Sequence, residues 1–328
     1  MLDRFAANGS GCSDDGVTST AVEVDRRGLG LGVGAHAVWG LFPAFWPLLD
    51  PAPPLEVLAH RILWTAVLMA GVLSLLRGWG ALRALRLRGW LTVAAAAAFI
   101  TVNWGMFIYG VAIDHIVEIA LGYYMSPLVS VLLGVVVLRE RLRVAQWAAL
   151  GIATTAVVVL SVENGAPPWL GLVLAASFGI YGLLKKTVPL PATASLTAEG
   201  LVLGPFALAA VVWFGVSGAG TVLGHGALHD VLLVLAGPAT AVPLLLYGAA
   251  ARRIPLTTLG TLTYITPTLQ FLWGVLVNHE DMPLPRWVGF GLVWVALILF
   301  TVDLLRHSRS PRVGTSGRPR STSRVVPG

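Results

Sequence analysis

The chain has 328 residues, of which 56% are apolar and only 12% charged, and its mean hydropathy is +0.79. Water-soluble domains carry about 25% charged residues, so this composition cannot cover a hydrated surface, and the chain reads as a membrane protein. The net charge of +6 would suggest nucleic acid only if the basic residues formed one patch, and the single cysteine, Cys12, excludes an intramolecular disulfide and any cysteine-based zinc cluster.

In chain order, residues 1–27 read as a disordered cytoplasmic tail rich in Gly, Ser, Thr and Asp, without the apolar stretch of a cleavable signal. Ten apolar stretches follow, at 28–49, 56–76, 90–112, 116–138, 145–162, 168–184, 196–216, 230–251, 256–277 and 286–303. A helical crossing takes about 20 residues, and continuous rather than alternating apolarity excludes barrel strands. The predicted fold class is therefore an all-α polytopic membrane protein with ten transmembrane helices. Residues 304–328 read as a disordered basic tail. If both termini are cytoplasmic, all of the 22 Lys and Arg except Arg61 and Arg286 fall on the cytoplasmic side. That asymmetry sets orientation in an inner membrane and removes the nucleic-acid reading, because the cations are spread over separate loops. The basic tail is expected to touch anionic headgroups of the lipid bilayer.

The chain repeats itself at an offset of 140 residues. Tyr124, Pro127, Gly134, Glu140 and Trp147 recur as Tyr264, Pro267, Gly274, Glu280 and Trp287. Five spans separate the copies, so the second must lie upside down relative to the first. This predicts two inverted five-helix repeats, over 28–163 and 167–303. Inverted repeats are the signature of secondary transporters, whose halves rock around a midplane site. Pro127 and Pro267 each remove a backbone hydrogen bond in mid-span and are hinge candidates. The small-residue spacing of Gly30 and Gly34 suggests a close helix approach.

Arg61 is a cation about five residues inside the second span, where it needs a partner. Glu118 reads as the only carboxylate at comparable depth, so an Arg61–Glu118 pair facing a watery cavity is expected; the alternative has Arg61 snorkelling and Glu118 simply interfacial. His60 and His36 are candidates for relaying a coupling proton, or else neutral residues bonded to a neighbouring helix. Asn103 and Trp104, with Tyr123, Tyr124, Tyr181 and Tyr264, are candidates to line an aromatic cavity. His225, His229 and Asp230 are spaced like metal ligands but read as solvated loop residues. The sequence contains neither a phosphate-binding loop nor a nucleophile with its base, so it calls for no cofactor, metal or catalysis.

The motifs "WGLFPAFW" at 39–46, "EVLAHRILW" at 56–64, "NWGMFIYGV" at 103–111, "EIALGYYMSPLVSVLLG" at 118–134 and "FGIYGLLKK" at 178–186 resemble the RarD-type permeases of the EamA family, in the drug/metabolite transporter superfamily. The likeness continues through "TAVPLLLYGAAARRIPLTTLG" at 240–260 and "YITPTLQFLWGV" at 264–275, and so covers 28–303. Met106, Met125 and the long N-terminal tail depart from the pattern. The resemblance implies a ten-helix inner-membrane transporter of two EamA repeats, and His60, Arg61, Asn103, Trp104, Glu118 and Tyr123 all fall inside its motifs. The expected function is export of a small organic metabolite or drug-like solute by alternating access, with protons as candidate coupling ion. The alternative is a non-transporting sensor or assembly protein on the same bundle; the sequence sets no oligomeric state.

Overall fold

The computed structural model describes residues 25–138, 142–254 and 256–308. Most of the expected N-terminal tail, with Cys12, the expected C-terminal tail from 309 onward, and Glu140 lie outside the described residues. Within them the chain is all-helical: α1 Arg26–Gly40, α2 Phe42–Phe45, a 3₁₀ turn Trp46–Leu49, α3 Pro54–Leu75, α4 Trp79–Arg83, α5 Leu87–Ala112, α6 Ile116–Leu138, α7 Val144–Asn164, α8 Trp169–Thr187, α9 Ala192–Ser217, α10 Ala227–Ala251, α11 Leu256–Leu262, α12 Ile265–Leu276 and α13 Leu284–Ser308.

Seven of these (α3, α5, α6, α7, α9, α10 and α13) contain a segment long and apolar enough to cross a membrane. Helix α1 and the segment Phe42–Leu49 pass the same test only when taken together, across a bend of 47°. The bend has an identifiable cause: the Pro43 ring lacks an N–H and clashes with the carbonyl one turn back, at Trp39. Apolar α8 is shorter, and the expected ninth span is divided between α11 and α12. That break lies at Thr263 and Tyr264, one turn before Pro267, which thereby sits in the first turn of α12. Pro127, by contrast, lies inside α6, which continues through it as one helix.

Many large apolar side chains point away from the protein. On α9, Phe206 is 73% and Val216 84% exposed. In water such a face would be an association surface, whereas against lipid tails it is simply solvated. Inside, the apolar side chains gather into clusters, of which two are the largest. One gathers Phe42, Trp46, Phe107, Ile119, Leu170 and Leu233, and the other Leu121, Tyr124, Ala153, Phe271 and Phe290.

Glycines set the tightest crossings. A Cβ at Gly122 would lie 2.7 Å from the Gly171 carbonyl oxygen, so α6 and α8 meet backbone to backbone. At α1 the close approaches fall at Gly28 and Gly32, against Arg253, Ile254 and Leu262. The expected pair, Gly30 and Gly34, faces open space or ordinary contact, because the buried face of α1 is rotated from the one inferred.

Candidate functional site

Arg61 lies on α3 and is 3% exposed. Its guanidinium carbon stands 4.3 Å from the Trp104 ring centroid, 5.0 Å from Trp46 and 5.4 Å from Phe42. Each ring face attracts the cation, by up to about 2 kcal/mol when desolvated, but offers no hydrogen-bond acceptor. Consequently Nε and Nη1 of Arg61 are buried without a hydrogen-bond partner, and so is the indole Nε1 of Trp46. A buried unsatisfied donor costs about 1–3 kcal/mol, and more when charged. Three such donors around one aromatic cage make a place for an acceptor of negative charge.

The expected partner is elsewhere. Glu118 is engaged at the start of α8, where Oε1 accepts the backbone N–H of Leu170 at 2.9 Å and of Gly171 at 3.4 Å. Its Oε2 faces His115 at 3.3 Å. In place of the expected Arg61–Glu118 pair, Glu118 caps a helix: it satisfies two orphan N–H groups at a helix N-terminus, where the dipole favours the anion.

Capping by a carboxylate from a distant part of the chain recurs. Glu280 accepts from Ile116 N at 2.7 Å and from Val117 N at 3.1 and 3.2 Å, which satisfies the start of α6. A Cβ at Gly274 would lie 2.9 Å from both Glu280 Oε1 and Val117 Cγ2. The Gly and Glu of the repeat signature thus act together: the glycine leaves the space through which the glutamate reaches the neighbouring helix. Glu56, fully buried, accepts the Thr221 N–H at 2.9 and 3.1 Å and the Thr221 hydroxyl at 3.0 Å. That hydroxyl faces His229 Nε2 at 2.7 Å, so the ring donates to it. His229 is only 6% exposed and sits in the first turn of α10, which corrects its reading as a solvated loop residue. Among the described residues no cluster of His, Cys, Asp and Glu is arranged to hold a metal ion.

The remaining candidates divide. Asn103 is fully used: its amide donates to the Leu174 carbonyl at 3.0 Å and to Ser177 Oγ at 3.2 Å, while its oxygen accepts from the Tyr123 hydroxyl at 3.1 Å. It ties α5, α6 and α8 together. His36 Nδ1 contacts Thr266 Oγ1 at 3.1 Å, and the same hydroxyl donates to the His36 carbonyl at 3.1 Å. The hydroxyl's one proton is thereby used, so Nδ1 is the donor and His36 ties α1 to α12. His60 Nδ1 accepts the Trp64 indole N–H at 3.2 Å. Tyr264 meets Thr301 at 3.2 Å, and Tyr124 meets Thr268 at 2.8 Å, so both tie neighbouring helices.

Trp104 does line a cavity. It is small, about 10 Å³ or room for roughly one water molecule, and lies between α3, α5 and α9, bounded by Ile62, Thr65, Ile100, Trp104, Leu196, Glu199, Gly200 and Leu203. Glu199 is 2% exposed. It is ion-paired with Lys185 and also receives the Tyr181 hydroxyl at 3.3 Å. It overturns the expectation that Glu118 is the only carboxylate at depth, as does buried Glu56. The missed signal is a carboxylate early in an apolar run, preceded by a lysine at the end of the previous one.

A multi-helix bundle whose exposed faces are apolar, with charged groups buried among its helices, is a polytopic membrane protein. The chain belongs to the EamA-like transporter family, in its RarD-type group. The family's model matches residues 26–162. The chain is 49% identical over 289 residues to Protein RarD of Streptomyces exfoliatus, covering 88% of this chain and 92% of that relative. It is 42% identical over 281 residues to an uncharacterized transporter, YojE, of Bacillus subtilis, covering 84% and 93%. At 30% over 294 residues it is similar to a chloramphenicol-sensitive protein RarD of Pseudomonas aeruginosa, covering 88% and 98%. One crystal structure of 17% sequence identity superposes with a TM-score of 0.56, over 86% of this chain and 99% of that one, and shows a shared fold.

Proposed function

We propose that the protein is a secondary carrier of small organic anions, with Arg61 as the group that receives the anionic charge. The observation that carries this reading is the set of buried donors without acceptors: Arg61 Nε and Nη1 and Trp46 Nε1. A carboxylate or similar oxyanion would supply acceptors to these donors, and an aromatic or apolar body would stack on the rings of the cage. The basic loops mark the cytoplasmic side of the carrier.

The carrier is read as ten crossings in two inverted five-helix repeats, alternating around the cavity. The crossings are α1 with α2 and the 3₁₀ turn, α3, α5, α6, α7, α8, α9, α10, α11 with α12, and α13. Support comes from the packing. Exchanging the halves turns the α6–α8 contact into α12–α1 and the α5–α8 contact into α10–α1, and each of these pairs is in contact. The pairs α3–α9, α6–α12 and α7–α13 map onto themselves and also pack. Both termini are placed on the cytoplasmic side of the inner membrane.

The test is counterflow in proteoliposomes against a panel of aromatic carboxylates, other metabolites and antibiotics. Saturable counterflow by the wild type, abolished in Arg61→Ala with membrane insertion intact, is the expected result. Unchanged counterflow in Arg61→Ala overturns the role of Arg61, and absence of flux with every member of the panel overturns the carrier reading for these solutes.

A further inference from the structure

Glu199 has a positional counterpart, and it is Arg61. Helix α3 follows Pro53 at its N-cap and α9 follows Pro191, and each charged residue is the eighth of its helix. The two helices cross where a Gly200 Cβ would lie 2.8 Å from Ala66 Cβ, and the Thr197 hydroxyl bonds the Met69 carbonyl at 3.2 Å. These contacts make the helices antiparallel. Arg61 and Glu199 then stand on opposite sides of the crossing, about 9 Å apart along the axes at about 1.5 Å of rise per residue. One ring joins them: Trp104 stacks on Arg61 and lines the cavity together with Glu199.

The two positions are equipped differently. At the Arg61 end, donors lack acceptors. At the other end the carboxylate is occupied by Lys185, the Tyr181 hydroxyl and, at 3.5 Å, the Ser195 hydroxyl. Lys185 is itself a quarter exposed, while the Glu199 side chain is 3% exposed, so the pair reaches from solvent to the cavity wall.

We infer that Glu199 and Lys185 form a proton-operated end of the same solute site: a proton taken up by Glu199 releases Lys185 to serve as a second cation for the anion held at Arg61. This rests on the anionic-solute reading above. In the step, one carboxylate oxygen of Glu199 forms an O–H bond with a proton delivered by water at the Lys185 side, and Lys185 stays an ammonium. The pair passes from net neutral to one positive charge, which one anionic charge on the solute cancels. One proton and one anionic charge thus enter the cavity together.

The groups facing Glu199 are few. Helix α8 contributes Lys185 and Tyr181, and α9 itself contributes Ser195. The walls from α3 and α5 are Ile62, Thr65, Ile100 and Trp104, none of which titrates in the physiological range, and Arg83 of α4 is exposed. The proton is assigned to Glu199, whose partner Lys185 reaches the exposed side, rather than to His36 or His60, each of which holds Nδ1 to Thr266 or Trp64 and has Nε2 buried without a partner.

Two readouts test this on the full chain in lipid nanodiscs, without any solute. The first is infrared difference spectroscopy on acidification from about pH 8 to about pH 5. A protonated-carboxyl band is expected in the wild type and in Glu199→Asp, and is absent from Glu199→Gln. The second, at one fixed pH, is labelling of Lys185 by a membrane-impermeant amine reagent, followed by mass spectrometry. Glu199→Gln, which mimics the protonated carboxyl, is expected to label several-fold faster than the wild type or Glu199→Asp. Identical spectra in wild type and Glu199→Gln, or equal labelling rates, overturn the inference. Arg61→Met is expected to change neither readout, so loss of the Arg61 reading is distinguishable from loss of this one.

Discussion

Glu118, Glu280 and Glu56 differ from Arg61 in what their polar atoms touch. Each of the three carboxylates receives backbone N–H groups from another segment of the chain, and Glu56 receives a hydroxyl as well. Arg61 is 3% exposed, against 18% for the Glu118 side chain, yet it stands over aromatic faces and two of its nitrogens have no hydrogen-bond acceptor. A charged group inside a membrane protein is costly in either setting. Where its atoms are satisfied by the fold, the cost is offset locally and the group holds helices together. Where they are not, the fold keeps a group whose best partner is something that arrives.

This contrast predicts that the two kinds of residue fail in opposite ways when replaced. The largest effect is expected for Arg61→Met: anion counterflow falls by at least about 30-fold, since losing one partner of a buried charged contact costs about 2–5 kcal/mol. Its melting temperature is expected to stay at or above that of the wild type, because an unpaired buried cation has been removed. A sharp drop in melting temperature would move Arg61 into the structural class. Next comes Glu56→Ala, which strands the N–H and hydroxyl of Thr221 and is expected to destabilise the fold by about 3 kcal/mol in chemical or thermal unfolding. Glu118→Ala is smaller, at about 1 kcal/mol for a lost helix cap, with saturable counterflow retained; transport lost at full stability would break the comparison from the other side.

The smallest effect concerns pH. Burial raises the Glu280 carboxyl above its ordinary value, against the opposing pull of the Val117 and Ile116 N–H groups. A raised value means the folded state binds the proton more tightly than the unfolded chain. Its contribution is fully present below the unfolded value and is lost as pH rises through the folded one. Unfolding of the wild type across the acidic range should therefore show stability falling as pH rises, and Glu280→Gln should flatten that slope.

Much of the fold is legible in the amino-acid sequence because apolar runs in lipid need no tertiary information: the stretch expected at 116–138 is α6, Ile116–Leu138. The site is less legible, and for particular reasons. Glu199 was hidden by a helix boundary. The apolar run begins at 196, but α9 starts at Ala192 behind Pro191, which puts Glu199 two turns inside rather than at an edge. His229 was hidden in the same way, since α10 begins at Ala227. The partner of Glu118 was hidden because it is the backbone of a distant helix, whose N–H groups carry no residue-specific signal. Arg61 was legible as an intramembrane cation, while its aromatic cage combines residues 42, 46 and 104 that only packing brings together.

The claim that Arg61 holds the anionic charge of the solute is tested most directly by ligand-induced thermal stabilisation of purified protein, using the aromatic carboxylate that gives the strongest counterflow. A ligand that binds the native state alone raises the melting temperature in proportion to its affinity. The wild type and Glu118→Gln are predicted to show the same concentration-dependent rise, and Arg61→Met none. An equal rise in Arg61→Met would contradict the account, because the solute would then be held without the buried cation whose donors the fold leaves unfilled.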